Sequence, residues 1–164
     1  MTRRTRIAIG LVAILVVAGV AMMPVTLVTV TGEDGEAIVC GRVDRESSIA
    51  LTFTHSMYGG DVTETFQPVS PSTLLRTGIL TDNAAAAEYY AWDGQVRPSG
   101  DRFEVIVPDQ EFSSLSIRVG QIGDHRLTIN GATVDLAAMV AESEGVRLSL
   151  VTRPLATQLL GLGC

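Results

Sequence analysis

The chain has 164 residues, of which 46% are hydrophobic, and its formal net charge is −6 at pH 7. Its 12 basic residues are all arginine. An acidic chain without lysine lacks the basic patch that binds nucleic-acid phosphates, so the composition argues against a nucleic-acid partner. The length suits one domain with an appendage.

The amino-terminal segment is typical of a membrane anchor. Three arginines among the first six residues precede an uncharged run from Ile7 to Met23. Such a run is long enough to span a bilayer, and the positive-inside rule places its amino end in the cytoplasm and the rest of the chain outside. Gly19 and Ala21 also offer a signal-peptide cleavage site. Because the run exceeds an ordinary signal-peptide core, we expect an uncleaved anchor over residues 1–24.

Residues 25–154 read as short strands separated by turns, which predicts an extracytoplasmic β-domain. The domain is expected to be all-β, as an antiparallel β-sandwich or a partly open barrel. Pro68 and Pro71 are expected to end one strand ladder. The apolar tail 155–164 is expected to pack on the domain or lie at the membrane surface. Strands are predicted at 25–31, 37–43, 73–80, 103–107, 115–119, 125–129, 134–136 and 146–151, together with a hairpin over 48–69.

Residues 83–92 form the clearest predicted helix. Four alanines follow Asp82 and Asn83, either of which could cap the helix. Tyr89, Tyr90 and Trp92 then concentrate aromatic side chains, either as a cover on the sheet edge or as a binding lip. A second, short helical crossing is predicted at 136–141, and 108–112 is predicted as a loop.

The hairpin carries the candidate site. A two-residue turn at Gly59 and Gly60 would place Tyr58 opposite Asp61, and His55 opposite Glu64. Alternation puts His55 and Glu64 on the apolar face of the sheet. An imidazole and a carboxylate among apolar side chains need each other as partners.

Three interpretations of this pair are open. It is a structural cross-strand hydrogen bond, or it lines a pocket or docking surface with Ser56 and Tyr58 at the rim, or His55, Ser56 and Glu64 form a hydrolase site. In an ideal strand Ser56 points away from His55, which argues against the third interpretation. His125, on another inward face, could approach His55 and complete a metal set.

The two cysteines, Cys40 and Cys164, permit one disulfide at most. They are too far apart in the sequence for zinc-ligand spacing, so no metal and no cofactor is expected.

The segment T-H-S-M-Y-G-G-D-V-T-E-T-F resembles the signature of the family called domain of unknown function 1850, in which His-Ser precedes a short turn and a Glu follows it. The likeness extends over 25–154, with weaker matches at 125–127, 130–131, Leu136 and 146–151. At 83–90 the chain departs from the glycine-rich pattern of the family. The motif residues that we take as candidate binding residues are His55, Ser56, Tyr58, Glu64 and Thr65.

The resemblance implies a role in the cell envelope, because members are often encoded beside TRAP-type transporters of the TAXI class. No enzymatic activity comes with it. The resulting hypothesis is a membrane-anchored extracytoplasmic accessory domain that is not an enzyme and has transporter subunits as partners. The alternatives are a domain that binds a small carboxylate and a hydrolase that uses His55 and Glu64.

Overall fold

The computed structural model describes residues 3–92, 94–120, 122–141 and 144–159. Within these residues there are three helices, α1 (Arg3–Ala21), α2 (Ala84–Tyr90) and α3 (Leu155–Leu159). The same residues form twelve strands: β1 (Pro24–Thr31), β2 (Ala37–Val43), β3 (Ile49–Thr54), β4 (Asp61–Ser70), β5 (Thr73–Thr81), β6 (Gln95–Ser99), β7 (Arg102–Ile106), β8 (Gln110–Phe112), β9 (Ser114–Arg118), β10 (Arg126–Ile129), β11 (Ala132–Asp135) and β12 (Gly145–Pro154).

The strands form two sheets, and the pairings between neighbours are antiparallel. The smaller sheet has the order β2-β1-β12-β9, and the larger has the order β11-β10-β3-β4-β5-β7-β6 with β8 beside β5. The prediction of a mostly antiparallel β-fold is therefore confirmed.

The two sheets share one hydrophobic core. In β1, at the centre of the smaller sheet, Leu27, Val28 and Val30 are fully buried. The core cluster contains Val28 from this sheet and Ile49 and Phe66 from the larger one. Burial of apolar side chains between the sheets is the main stabilising contribution here.

A second cluster fixes α2 on the larger sheet. Ala86 and Ala87 are completely buried against Val62, Ile79 and Val105. Since alanine has only a methyl side chain, the helix backbone approaches the strands closely. This contact places the aromatic end of α2 beside the connection between β3 and β4.

Helix α1 lies outside both clusters. It is long and apolar enough to cross a membrane, and none of its described side chains is buried. A membrane anchor and a signal sequence both fit these properties. Near its end, the backbone N–H of Leu155 donates to the carbonyl of Met23 at 2.9 Å, which joins the start of α3 to the segment between α1 and β1.

Three predictions about elements are wrong. Pro68 does not end its strand, because β4 beyond Phe66 pairs with β5 alone and the open side tolerates a missing N–H. Residues 110–112 form β8 rather than a loop. Residues 136–141 form turns, in which Met139 N–H donates to the Leu136 carbonyl, rather than a helix.

Two further predictions fall partly outside the described residues. Cys40 lies in β2, but Cys164 is outside them, so the described residues do not test whether the two cysteines form the one disulfide that the sequence permits. The tail begins as helix α3, and its residues after Leu159 also lie outside.

Candidate functional site

The predicted register of the central hairpin is wrong. Leu51, not His55, lies opposite Glu64, and Thr54 lies opposite Asp61. The reason is that residues 55–60 form a loop instead of a two-residue turn. The residue of β3 opposite Glu64 changes by an even number of positions. The side chains of both strands therefore stay on the predicted faces of the sheet, and Glu64 still shares the inward face with Val62.

The loop 55–60 is organised around His55. Its Nδ1 accepts hydrogen bonds from the backbone N–H groups of Met57 and Tyr58, each at 3.2 Å. The His55 N–H donates to Gly60 O, and the Gly59 N–H donates to His55 O, both at 2.9 Å. The side chain is only 8% exposed. With Nδ1 accepting, the neutral ring carries its hydrogen on Nε2.

The two glycines of the loop have backbone conformations that other residues rarely adopt. The φ angles of Gly59 and Gly60 are +67° and +75°. A Cβ on Gly60 would also collide with Asp82 and Asn83. The loop therefore closes tightly on the segment that precedes α2.

Asn83 and Asp82 attach this loop to the helix. The Asn83 Oδ1 accepts from the N–H groups of Ala85 and Ala86, which confirms Asn83 as a helix cap. Its Nδ2 donates to the Tyr58 carbonyl at 2.9 Å. The Asp82 Oδ1 accepts from the Asp61 N–H at 2.8 Å. One side chain thus starts the helix and holds the loop.

Three tyrosines surround the His55 ring. The ring centroids of Tyr58, Tyr89 and Tyr90 lie 5.0, 5.3 and 5.9 Å from that of His55. Tyr90 is partly buried, whereas Tyr89 is exposed. Tyr90 packs against the cluster of the larger sheet, as the predicted cover requires. The binding lip stays a prediction.

Four apolar or aromatic side chains of the loop and of the α2 region are exposed. Met57 and Trp92 are 72% and 90% exposed, and Tyr58 and Tyr89 are exposed with their ring centroids 6.1 Å apart. Trp92 follows α2 by two residues. We call these four residues the aromatic surface. Their rigid support is the hydrogen-bonded loop and the capped helix.

Glu64 pairs with Arg76 instead of His55. Arg76 Nη1 lies 3.8 Å from Glu64 Oε2, and the Glu64 side chain is only 14% exposed. Thr77 has no residue opposite it in β4, because a β-bulge interrupts the register between β4 and β5. The bulge turns the preceding residue, Arg76, inward. Arg76 Nη2 also donates to Gln110 Oε1 at 2.8 Å.

Burial shifts the pKa of three side chains in this part of the larger sheet. It raises the pKa of Glu64, although the positive charge of Arg76 opposes the shift. It raises the pKa of Tyr90 to about 12, with Glu64 and Tyr89 adding to the effect. Burial lowers the pKa of His125, against the charge of Asp124. Tyr90 is therefore a neutral hydroxyl at physiological pH.

The remaining candidate residues lie apart from His55. Ser56 is exposed and makes no hydrogen bond to His55 in the part of the chain described. Thr65 Oγ1 donates to the Gly78 carbonyl at 3.3 Å. His125 stacks on Phe53 at 5.6 Å and makes no ring contact with His55. Among the described residues, no three His, Cys, Asp or Glu side chains are grouped as metal ligands.

The family described as "Domain of unknown function (DUF1850)" matches residues 49–136, which is more than half of the chain. The chain belongs to this family. The matched range contains His55, Glu64, Arg76 and the whole of α2, so the candidate site lies within the family domain. No curated protein and no solved structure matched the chain.

Sequence reasoning missed two features of this site in the DUF1850 domain. Arg76 was not a candidate, because no pattern in the sequence reveals a bulge at Thr77. The bond from Asn83 to the loop was also missed, although the helix cap itself was expected. An asparagine cap beside a glycine loop was the available signal.

We predict that His55→Asn is more stable than His55→Ala. The Asn Oδ1 can accept the same two N–H groups, whereas Ala leaves both without a partner, and the resulting cost is about 1–3 kcal/mol. Urea unfolding of the detergent-solubilised protein measures the difference. Equal destabilisation by both substitutions would contradict the capping role, and His55→Phe controls for loss of the bonds with an aromatic ring retained.

We predict that Glu64 makes the free energy of unfolding fall as the pH rises above 4.5, which is the ordinary pKa of a glutamate side chain. Its folded pKa is raised, so the folded state retains the proton at pH values where the unfolded chain has lost it, and stability decreases through that window. Glu64→Gln should flatten the curve of unfolding free energy against pH. Glu88→Gln, which removes an exposed carboxylate of α2, is the matched control. An unchanged slope in Glu64→Gln would refute the prediction.

Proposed function

We propose that this protein is a membrane-anchored extracytoplasmic accessory domain that docks on subunits of a TAXI-class TRAP transporter. The aromatic surface is the observation that carries the proposal. Exposed Met and aromatic side chains on a rigid support are typical of protein contacts, because they bury large areas at low entropic cost. Family membership supports the same conclusion through the envelope role that the resemblance implies.

The position of the aromatic surface suits a partner beyond the membrane surface. The loop 55–60 precedes β4 at Asp61, and Ser70 ends this strand. A strand of that length spans about 30 Å at 3.3 Å per residue. Ser70 lies in a cavity with Pro24, the third residue after α1. The aromatic surface is therefore at the end of β4 remote from the helix.

The same proposal includes the membrane anchor and the β-sandwich architecture of the domain. We take α1 as an uncleaved span with its arginines in the cytoplasm, and the two sheets as a β-sandwich outside. Support comes from the exposed apolar face of α1 and from the core that both sheets share.

The hydrolase alternative has little geometric support. A catalytic histidine needs a free ring nitrogen to take a proton from the nucleophile. His55 Nδ1 already accepts two backbone N–H groups. Ser56, next to it in the chain, is directed to solvent.

We predict that Met57→Ser combined with Trp92→Ser weakens capture of the transporter subunits by at least about tenfold. Exposed anchors of this type each contribute on the order of 1 kcal/mol or more to an interface. The measurement is co-purification of co-expressed transporter subunits from the same organism with the tagged full-length protein.

Met139→Ser is the control, because Met139 is exposed and apolar but lies outside the aromatic surface. It should retain capture. Equal capture by this variant and by the double variant, or no capture by the wild type, would overturn the docking proposal.

A second candidate function, binding of a small carboxylate, is favoured by one observation. Arg76 Nε is buried and has no hydrogen-bond partner among the described residues. Arginine binds carboxylates through paired N–H groups. The neighbouring Glu64 carboxylate opposes an anion, which is why this function ranks second.

If the carboxylate function holds, acetate or a sugar acid at millimolar concentration should raise the thermal midpoint of the full-length protein by a few degrees, roughly as expected for mass action. Arg76→Gln should lose that increase, whereas Arg97→Gln, which changes an exposed arginine, should keep it. The function fails if the increase is absent or is the same in both variants.

A further inference from the structure

The face of β1 that turns away from the larger sheet is buried. Val28 and Val30 point into the core that the two sheets share. Alternation along the strand therefore directs Val25, Leu27 and Thr29 to the opposite side, which we call the outer face. These three side chains are only 7%, 0% and 3% exposed. An outer face in contact with water would leave them accessible.

The core clusters do not account for this burial. Val25 and Leu27 belong to neither cluster of the described residues. At the level of Leu27, the neighbouring strands carry Arg42, which is exposed, and Val151, which is half-buried. Side chains of one sheet face stand beside each other, so these neighbours flank Leu27 rather than lie over it. Complete burial of this leucine requires an apolar layer above the sheet.

The chain returns to the start of β1 through α3. The backbone N–H of Leu155 donates to the Met23 carbonyl at 2.9 Å, so α3 begins beside the segment that precedes β1. Residues 160–164 follow α3 and lie outside the described residues. Five extended residues span about 17 Å, whereas β1 covers about 13 Å from Val25 to Thr29. A segment of this length can cover the buried part of the outer face.

The sequence of residues 160–164 suits a segment that lies on a sheet. It reads Leu, Gly, Leu, Gly and Cys. In an extended conformation Leu160, Leu162 and Cys164 share one side, and the two glycines lie on the other. This two-residue period equals the period of the three buried side chains of β1. One apolar row would therefore match the other.

Cys40 lies at the far end of the same face. It is opposite Thr29 in the ladder of β1 and β2, and paired residues share a face of the sheet. The distance to cover is about 13 Å along β1 and about 5 Å across to β2, which is within the reach of about 17 Å. A disulfide joins cysteines whose Cα atoms are about 4.4–6.8 Å apart. Cys164 can thus reach Cys40 without any change in the sheet.

We propose that residues 160–164 cover the outer face of the smaller sheet, and that a disulfide between Cys40 and Cys164 holds them there. Leu160 and Leu162 bury the apolar side chains of β1, and the disulfide fixes the far end of the segment. The inference rests on the proposed location of the domain outside the cytoplasm, where disulfides persist. It adds a covalent closure to the accessory domain.

Formation of the disulfide removes one proton and one electron from each thiol. The oxidant is a protein disulfide of an extracytoplasmic oxidoreductase, which accepts the two electrons and two protons by thiol–disulfide exchange and becomes a dithiol. The new bond closes the loop from Cys40 to Cys164. It stabilises the folded protein mainly because it restricts the unfolded chain.

The disulfide is tested on full-length protein from cells lysed in N-ethylmaleimide, which blocks free thiols. Intact-mass measurement counts the maleimide groups before and after reduction. The wild type should take up none before reduction and two after it, whereas Cys40→Ser and Cys164→Ser should each take up one before reduction. Each variant should also have a thermal midpoint lower by roughly 10 °C in detergent. Two maleimides on the wild type before reduction, or a covalent dimer on a non-reducing gel, would overturn the disulfide.

The contact with the sheet is tested in the variant that lacks both cysteines. Leu160→Ser combined with Leu162→Ser should lower its thermal midpoint by roughly 5 °C, because the apolar cover is lost. Gly161→Ser combined with Gly163→Ser is the matched control, since it changes the opposite side of the same segment, and it should leave the midpoint unchanged. In a Leu27→Ala background the loss from the two leucine changes should shrink, as expected for side chains in contact. Equal shifts in the two double variants, or an unchanged loss in Leu27→Ala, would overturn the contact.

A failure of this inference differs from a failure of the accessory role. Reduced, purified protein that forms the intramolecular bond with oxidised glutathione would support the contact in any compartment. Free thiols in cells would then refute the location outside the cytoplasm. If the bond forms neither in cells nor with glutathione while capture of transporter subunits is intact, the disulfide is refuted and the accessory role stands.

Discussion

The candidate site depends on the two hydrogen bonds that His55 Nδ1 accepts from the backbone of its own loop. They satisfy amide groups that no strand partner reaches, and they fix Tyr58 against the ring of His55. Asn83 then joins the loop to α2 through the Tyr58 carbonyl. Tyr58 and Tyr89 of the aromatic surface therefore lie on a base held by hydrogen bonds of the loop and of the helix cap.

The second constraint is the bulge at Thr77. It turns Arg76 inward, beside Glu64, between the main core and the cluster under α2. A buried carboxylate without a partner would be strongly destabilising, and so would a buried guanidinium. The pair therefore exists only because one extra residue changes the direction of β5. The contact at 3.8 Å leaves the carboxylate incompletely stabilised, which agrees with its raised pKa.

The sequence predicts the fold better than it predicts the site, and particular residues show why. Strands β1 and β2 follow apolar runs between charged turns, and α2 follows an asparagine cap and four alanines, so their bounds are nearly as predicted. Gly59 and Gly60 indicate a turn but not the length of the loop. The longer loop is held by the His55 side chain, which accepts hydrogen bonds from two of its N–H groups. The register was therefore wrong while the inward face was right. Strand β6 lies at a sheet edge with mostly exposed side chains and leaves no periodic signal.

The continuity of β4 fixes the distance between the loop 55–60 and the segment that follows α1. Pro68 lies within the strand, and the ladder with β5 persists to Ser70, so the loop 55–60 and the cavity near Pro24 are connected by one extended segment. Pro68 can lie inside the strand because β4 has no partner on its β3 side beyond Phe66, where its missing N–H costs no ladder bond. The strand therefore separates the aromatic surface from the segment after α1 by its own length of about 30 Å.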